Sequence, residues 1–255
     1  MTTTMHATAT KPAGMTSLRK TALVAGIFYL ITFISIPTLA LYGPVKNHRD
    51  WILSSGTHTG VLVGCLLEVI VALAGIGTAV TLYPVVKRQN EGVALGFVTA
   101  RVLEASMIFV GVVSLLSLVT LRQGAAAGTD AAALVTTGAS HVAIYNWTFL
   151  LGQTLMPCIN ALLLGSLMYR SRLVPRILPV LGLIGAPLLI TAVIATLFSG
   201  SIGHVSAFAA IATLPVAAWE FSLGVWLVVK GFKPSPITAE MTAADTAPAY
   251  HDVTV

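Results

Sequence analysis

Charged residues are scarce in this chain of 255 residues. Asp, Glu, Lys and Arg together make up 9% of it, whereas soluble domains carry about a quarter. So few charges exclude an ordinary water-exposed surface over most of the chain. Apolar residues take their place, because 56% of the sequence is hydrophobic and the mean hydropathy is +0.90. The composition therefore predicts an integral membrane protein.

Cysteines and catalytic signatures are also scarce. The two cysteines, Cys65 and Cys158, lie far apart in apolar segments, and we interpret them as small core residues rather than as a disulfide or metal ligands. The sequence lacks the HExxH, GxSxG and GxxxxGK patterns and the dinucleotide glycine fingerprint. We therefore expect no cofactor and no metal, and a role other than catalysis is favoured.

Long apolar segments are the main feature of what is present. Six are long enough to cross a hydrocarbon core about 30 Å thick, which takes about 20 helical residues. They are Thr21–Leu41, Thr57–Tyr83, Val93–Leu121, His141–Tyr169, Ile177–Phe198 and Ser206–Val229. Lipid offers no partner to backbone amides, and the segments lack the alternation of barrel strands. The predicted fold class is all-α, a polytopic membrane bundle of about six transmembrane helices.

Lysine and arginine are distributed unevenly between the two sets of loops. With the N-terminus inside, the inner segments hold ten of them: Lys11, Arg19, Lys20, Lys87, Arg88, Arg170, Arg172, Arg176, Lys230 and Lys233. The outer loops hold three: Lys46, Arg49 and Arg122. This bias predicts that both termini are cytoplasmic. Because the charges are spread over loops, the net charge of +5 does not indicate nucleic-acid binding.

The ends of the chain and one loop have a composition typical of unstructured segments. Residues 1–20 and 231–255 are rich in Thr, Ala and Pro without apolar periodicity, and we expect disordered tails there. The Ala/Gly/Thr-rich loop Arg122–Ser140 is typical of a mobile linker. The transmembrane domain is expected to span residues 21–230.

Four ionisable side chains lie deep in the predicted spans and are the candidate site: Glu68, Arg101, Glu104 and Glu220. Each costs at least about 2.5 kcal/mol against lipid, so all should face the bundle interior. We expect one network that holds the second, third and sixth helices together. Three carboxylates and one guanidinium leave two excess negative charges. We therefore predict that at least one glutamate, Glu68 as the deepest, is protonated at neutral pH.

Further polar residues carry weaker hypotheses. Asn146, Gln153 and Asn160 lie along the fourth helix, where interhelical hydrogen bonds are the expected role. Three histidines lie near the predicted outer ends of spans, namely His58, His141 and His204. An outer metal site would require that they converge, and no paired histidine spacing supports one.

Three segments together resemble a known family. They are the run from Ala72 to Leu118, the stretch YRSRLVPRILPVLGLIGAPLL and the ending WEFSLGVWLVVKGF. They resemble a bacterial membrane family defined as domain of unknown function 4386, from the first helix to Lys233. The family pattern places a glutamate in the second helix, Arg-x-x-Glu in the third and a glutamate in the sixth. The resemblance implies a six-helix membrane protein of the bacterial cytoplasmic membrane and brings no activity. Arg170, Arg172 and Arg176 match its fourth loop, where contact with anionic lipid headgroups is one interpretation.

Three functions remain open on the sequence. The first is binding or translocation of a small molecule, lipid or proton at the four intramembrane charges. The second is a membrane-embedded enzyme acting on a lipidic substrate, with a glutamate as general acid. The third is a non-catalytic scaffold or regulatory subunit, which predicts a packed core without a cavity. Membrane lipids are the expected partners in every case.

Overall fold

The computed structural model describes residues 15–124, 130–199 and 207–246. Within these ranges every regular element is helical, and six segments are long and apolar enough to cross a membrane. We number them span 1 to span 6: Ser17–Leu41, Thr59–Val86, Glu91–Gly124, Ala131–Ser171, Ile177–Ser199 and Phe208–Val229. The predicted all-α membrane bundle is thereby confirmed.

Four spans are single helices and two are interrupted. Span 1 is an α-helix over Ser17–Ile31, a 3-10 helix over Thr32–Ser35 and a further α-helical turn over Thr38–Leu41. Pro37 explains the break, because it has no N–H for the carbonyl of Phe33 and the N–H of Ile36 bonds that carbonyl instead. The hydroxyl groups of Thr32, Ser35 and Thr38 lie along this interrupted part of span 1 and donate to backbone carbonyls of the same span.

Span 4 is interrupted by a π-helix. Its α-helices Ala131–Thr148 and Met156–Ser171 flank a π-helical segment over Phe149–Leu155. Pro157 follows directly and cannot donate a hydrogen bond to the carbonyl four residues earlier. The Met156 N–H bonds to the carbonyl of Leu151, five residues earlier, which is the π pattern.

The helices expose apolar side chains on the outside of the bundle and bury ionisable ones inside it, as span 2 illustrates. On span 2, Leu66, Leu73 and Val80 are more than half exposed, while Glu68 between them is completely buried. Apolar side chains face outward and the ionisable one faces the other helices, which is the arrangement that lipid favours. The inward orientation expected for the spans' charged residues holds at this position.

Spans 1 and 6 contact each other closely at one end. A Cβ atom on Gly26 would lie 2.8 Å from the carbonyl oxygen of Gly224, so only glycine permits this approach. At the same end Arg19 donates to the carbonyls of Leu227 and Val228, at 2.8 and 2.5 Å. The start of span 1 and the end of span 6 therefore lie on one face of the bundle, which we call the terminal face.

Short helices lie outside the spans at both faces. On the face opposite the terminal face are the α-helix Gly43–Asn47 and the 3-10 helix Trp51–Leu53. On the terminal face, a 3-10 helix over Pro236–Thr238 leads into an α-helix over Ala239–Thr246. The chain after Gly231 is tied to the end of span 4 by a hydrogen bond from the Ser235 hydroxyl to the Ser171 carbonyl at 2.6 Å.

Two predictions of disorder therefore need correction. The predicted tail 231–255 is helical in much of its described part, because Pro236 starts a turn and the following Ala-rich stretch favours a helix. The predicted linker Arg122–Ser140 already becomes helical at Ala131, since the Asp130 carboxylate caps the Ala132 N–H. Residues 1–14 of the other predicted tail lie outside the described residues.

Candidate functional site

The centre of the site is an ion-paired triad on spans 3 and 6. Arg101 Nη1 donates to Glu104 Oε2 at 3.0 Å, and its Nη2 donates to Glu220 Oε1 at 2.5 Å. We call Arg101, Glu104 and Glu220 the floor cluster. The cluster lies about 14 Å from the terminal face, counted along the helices. A guanidinium has a planar fork of donors, which is why one arginine can hold two carboxylates.

Aromatic rings and a further helix support the guanidinium. Its carbon lies 5.3 Å from the ring centre of Tyr29 on span 1 and 5.8 Å from that of Phe97 on span 3. Only 2% of the Arg101 side chain is exposed. Gly75 on span 2 lies against the aliphatic part of Arg101. The charge is thus removed from lipid by rings, carboxylates and a helix that lacks a side chain at the point of contact.

The expected network is split into two parts. Glu68 lies in a separate cluster, where its Oε1 accepts hydrogen bonds from the Tyr145 hydroxyl at 2.8 Å and from Gln153 Nε2 at 3.0 Å. We call Glu68, Tyr145 and Gln153 the Glu68 cluster. Its Oε2 is buried and has no hydrogen-bond partner in the described part of the chain. Arg101, Glu104 and Glu220 are therefore connected, and Glu68 lies apart from them.

The three polar residues of span 4 have different roles. Asn160 donates to Glu104 Oε2 at 2.6 Å, so span 4 contributes to the floor cluster. Gln153 donates to Glu68. The Asn146 side-chain oxygen is buried without a partner among the described residues, so the predicted interhelical hydrogen bond is absent at that atom. Span 4 joins both clusters, a connection that the expected pairing of spans 2, 3 and 6 did not include.

Tyr145 was missed from the sequence because a π-helix changes its position relative to Gln153. In a regular α-helix, residues eight positions apart differ by about 80° in direction. The π-helical turn between them brings both side chains to one carboxylate oxygen. Pro157 was the available signal, but a proline inside a span indicates a kink without specifying its form.

Lys46 is a second residue that sequence reasoning did not assign to the site. It lies in the short helix Gly43–Asn47, and its ammonium is 5.5 Å from the ring centre of Tyr145 and 5.7 Å from that of Phe149. Burial lowers the pKa of this lysine, and the nearby Glu68 opposes that shift. Lys46 therefore lies above the Glu68 cluster, on the side away from the terminal face.

A cavity leads from Lys46 to the floor cluster. One space of about 400 Å³ extends between spans 4, 5 and 6 from Lys46 and Asn146 to Glu220. A second, of about 250 Å³, lies beneath it and reaches Arg101 and Glu104. The two share seven lining residues and together form the central cavity: Leu39, Phe149, Gln153, Pro157, Thr213, Ala217 and Glu220.

The interruptions of spans 1 and 4 form much of the cavity wall. Thr32, Ser35 and Thr38 line it from the broken part of span 1, and Phe149 and Gln153 line it from the π-helix. Broken helices are tolerated in membranes where they line a cavity, because water or ligand can satisfy the freed backbone groups. The site and the two breaks are therefore one feature of the fold.

The cavity has an opening on the side of the bundle. Ile36 and Leu39 of span 1 are 59% and 67% exposed while also lining the cavity, and Thr213 on span 6 is exposed beside them. Spans 1 and 6, which touch at Gly26 and Gly224, leave this gap toward their other ends. A molecule in the bilayer thus has a lateral route to the carboxylates.

The histidines near the outer ends of the spans form no metal site within the described residues. No group of three His, Cys, Asp or Glu side chains there could hold a metal ion. His141 Nδ1 is 3.1 Å from the Ser114 hydroxyl, and His58 Nε2 is 3.0 Å from Gln123 Nε2. His204 lies outside the described residues. Cys65 and Cys158 are both free and buried, which fits the interpretation of these cysteines as small core residues.

Comparison with known proteins gives one result. A family model described as Domain of unknown function (DUF4386) matches residues 24–231, which include all six spans except the first residues of span 1. The resemblance noted from the sequence is thereby confirmed. No curated protein and no solved structure matches the chain.

Proposed function

The chain belongs to the family described as Domain of unknown function (DUF4386), whose description gives no activity. We therefore propose a function from the central cavity. The protein binds, and is able to translocate, a small molecule, lipid or proton at the floor cluster. The observation that carries the proposal is the continuity of a largely apolar cavity with two carboxylates at membrane depth. Ligand sites are typically apolar spaces with a few convergent polar groups.

The direction of access supports a ligand that comes from the bilayer. The lateral opening beside Ile36, Leu39 and Thr213 faces the region where acyl chains would lie. On the side away from the terminal face, a further pocket of about 200 Å³ shares Lys46 and Asn146 with the central cavity. The cavity thus has a side opening in the membrane and a second approach near the surface, as a protein that moves a ligand between them needs.

The charge distribution supports a proposal for location and orientation. We place the protein in the bacterial cytoplasmic membrane with both termini in the cytoplasm, because the terminal face carries most of the lysine and arginine residues. Arg170, Arg172 and Arg176 are exposed on this face, where they are positioned for contact with anionic lipid headgroups.

A membrane-embedded enzyme is the second candidate. The observation that favours it is the apolar, laterally open cavity that ends at a glutamate, which a lipidic substrate and a general acid would require. Formation of a new product by purified protein in lipid would distinguish it from binding alone. The third alternative, a scaffold, requires a packed core, and the central cavity argues against it.

The proposal is tested by filling the cavity. Ala217 lines it, whereas its neighbour Ala218 is exposed on the outer surface of span 6 and is not part of the lining. We expect Ala217→Trp to abolish saturable binding of 4-phenylbutylamine, 4-phenylbutan-1-ol and 4-phenylbutanoate, measured by calorimetry in lipid nanodiscs. Ala218→Trp is the matched control and should bind as the wild type does.

The three probes have closely similar phenylalkyl bodies and differ in charge, so the test does not presuppose the charge of the ligand. Partition into lipid is the same for both variants and cancels in their comparison. Absence of saturable binding for all three probes, or equal binding by both tryptophan variants, would contradict the proposal.

A further inference from the structure

The floor cluster has an unbalanced charge, and this suggests what the cavity holds. Both terminal nitrogens of Arg101 are engaged by carboxylates, and only 2% of its side chain is exposed. Glu104 and Glu220 are less enclosed, with 11% and 14% of their side chains exposed. With both carboxylates ionised, the one guanidinium leaves a single negative charge on the floor cluster, and both carboxylates line the cavity.

No second basic residue of the described cavity lining reaches the floor. Apart from Arg101, the basic side chain in the lining is Lys46, at the other end. Its ammonium lies over the rings of Tyr145 and Phe149, within electrostatic reach of Glu68. Lys46 is therefore held away from the floor cluster, and the excess charge of the floor cluster remains for a ligand.

The walls exclude a bare metal ion as the preferred occupant. Between Lys46 and Glu220 the lining is mostly apolar, with Leu39, Phe149, Leu150, Pro157 and Val216 among it. Hard cations require six or more oxygen ligands, and the two carboxylates here already bind Arg101. Apolar surface of this extent is instead complementary to a hydrocarbon body.

On the basis of the proposed function, we propose that the central cavity binds an amphipathic monocation, an amine on an alkyl or aryl body. The ammonium lies against the free faces of Glu220 and Glu104, and the body lies along the π-helix of span 4. The bound cation brings the site close to neutrality, which offsets the cost of removing its charge from water. Entry occurs through the lateral opening, with the apolar part in the bilayer.

The test compares the three probes on the wild-type protein. We expect 4-phenylbutylamine to bind at least ~10-fold more tightly than 4-phenylbutan-1-ol, and 4-phenylbutanoate to bind most weakly. Calorimetry in neutral lipid nanodiscs keeps the membrane from adding its own charge preference. A titration with sodium chloride and no organic probe tests whether an inorganic cation occupies the site.

Variants then assign the preference to the floor cluster. Glu220→Gln should reduce the preference for the amine over the alcohol to within about threefold while the alcohol still binds. Glu240→Gln removes the same charge from an exposed pair with Arg88 and should leave the preference unchanged.

Failure of this inference and failure of the proposed function give different results. Equal affinity for amine and alcohol, tightest binding of the carboxylate, or saturable sodium binding that excludes the amine would each overturn the monocation while leaving a ligand cavity. An unchanged amine preference in a folded Glu220→Gln would do the same. No saturable binding of any probe would overturn both.

Discussion

Two clusters of buried carboxyl groups lie in the same membrane domain and are stabilised by different partners. In the floor cluster, Glu104 and Glu220 are paired with the guanidinium of Arg101. In the Glu68 cluster, the carboxyl group is completely buried and accepts hydrogen bonds from the neutral groups of Tyr145 and Gln153. Both carboxylates of the floor cluster line the central cavity, whereas the carboxyl group of Glu68 does not. This contrast favours the ion-paired cluster as the binding site and the neutral one as a structural connection between spans 2 and 4.

The largest loss of stability is expected from replacing Arg101, the arginine of the floor cluster. Arg101→Leu leaves two carboxylates buried without their partner, which costs about 3–5 kcal/mol. We expect loss of folded protein, measured by yield of the monodisperse species in detergent. Arg88→Leu is the control, because it breaks the exposed pair with Glu240, and such pairs contribute about 0–1 kcal/mol. Equal yields from both variants would mean that the floor cluster does not hold spans 3 and 6 together.

A smaller loss of stability is expected from replacing one carboxyl group in each cluster, and the size of the loss should differ between the two clusters. Glu104→Gln weakens charge-assisted hydrogen bonds and should cost about 2 kcal/mol in unfolding free energy. Glu68→Gln resembles the protonated carboxyl group predicted for Glu68, keeps an acceptor for Tyr145 and Gln153, and should cost under about 1 kcal/mol. Reversible unfolding in mixed micelles measures both. If Glu68→Gln lowers the unfolding free energy more than Glu104→Gln does, Glu68 is ionised in the folded protein. The Glu68 cluster would then not be the neutral one.

The smallest expected effect concerns Lys46 above the Glu68 cluster. Burial lowers the pKa of Lys46 in the folded protein below its ordinary value of 10.5. Between that lowered value and 10.5 the unfolded chain therefore binds more protons than the folded one, so stability rises with pH across this window. We expect the stability of the wild type relative to Lys46→Gln to increase as pH is raised toward 10.5, measured by thermal unfolding. A difference that is constant or decreases would show that Lys46 is not buried.

The spans and the candidate residues could be predicted from sequence, because both depend on local chemistry. Hydropathy locates apolar segments, and an ionisable residue within one must face inward. This reasoning alone places Glu68, Arg101, Glu104 and Glu220 in the bundle interior. The split between the two clusters could not be predicted, because it depends on the direction of Tyr145 and Gln153 across a π-helical turn.

The cavity was also beyond the reach of sequence reasoning. It arises where spans 1 and 6, in contact at Gly26, separate toward the other face, and where Pro37 and Pro157 interrupt their helices. Prolines in spans predict kinks, but whether neighbouring helices fill the space is a matter of packing between distant segments. Lys46 and Tyr145 also lie at the site because of packing between segments that are distant in sequence.

A cavity reaches the floor cluster inside the membrane, and cysteine labelling in native-like vesicles can detect it. Ala217→Cys places a thiol in the cavity near Glu220, Ala218→Cys places one toward lipid, and Leu223→Cys places one in the packed core. A water-soluble methanethiosulfonate reagent needs a hydrated thiolate, and Cys65 and Cys158 are buried. We predict rapid labelling at position 217 and slow labelling at 218 and 223. Labelling at 217 no faster than at 223 would contradict the account.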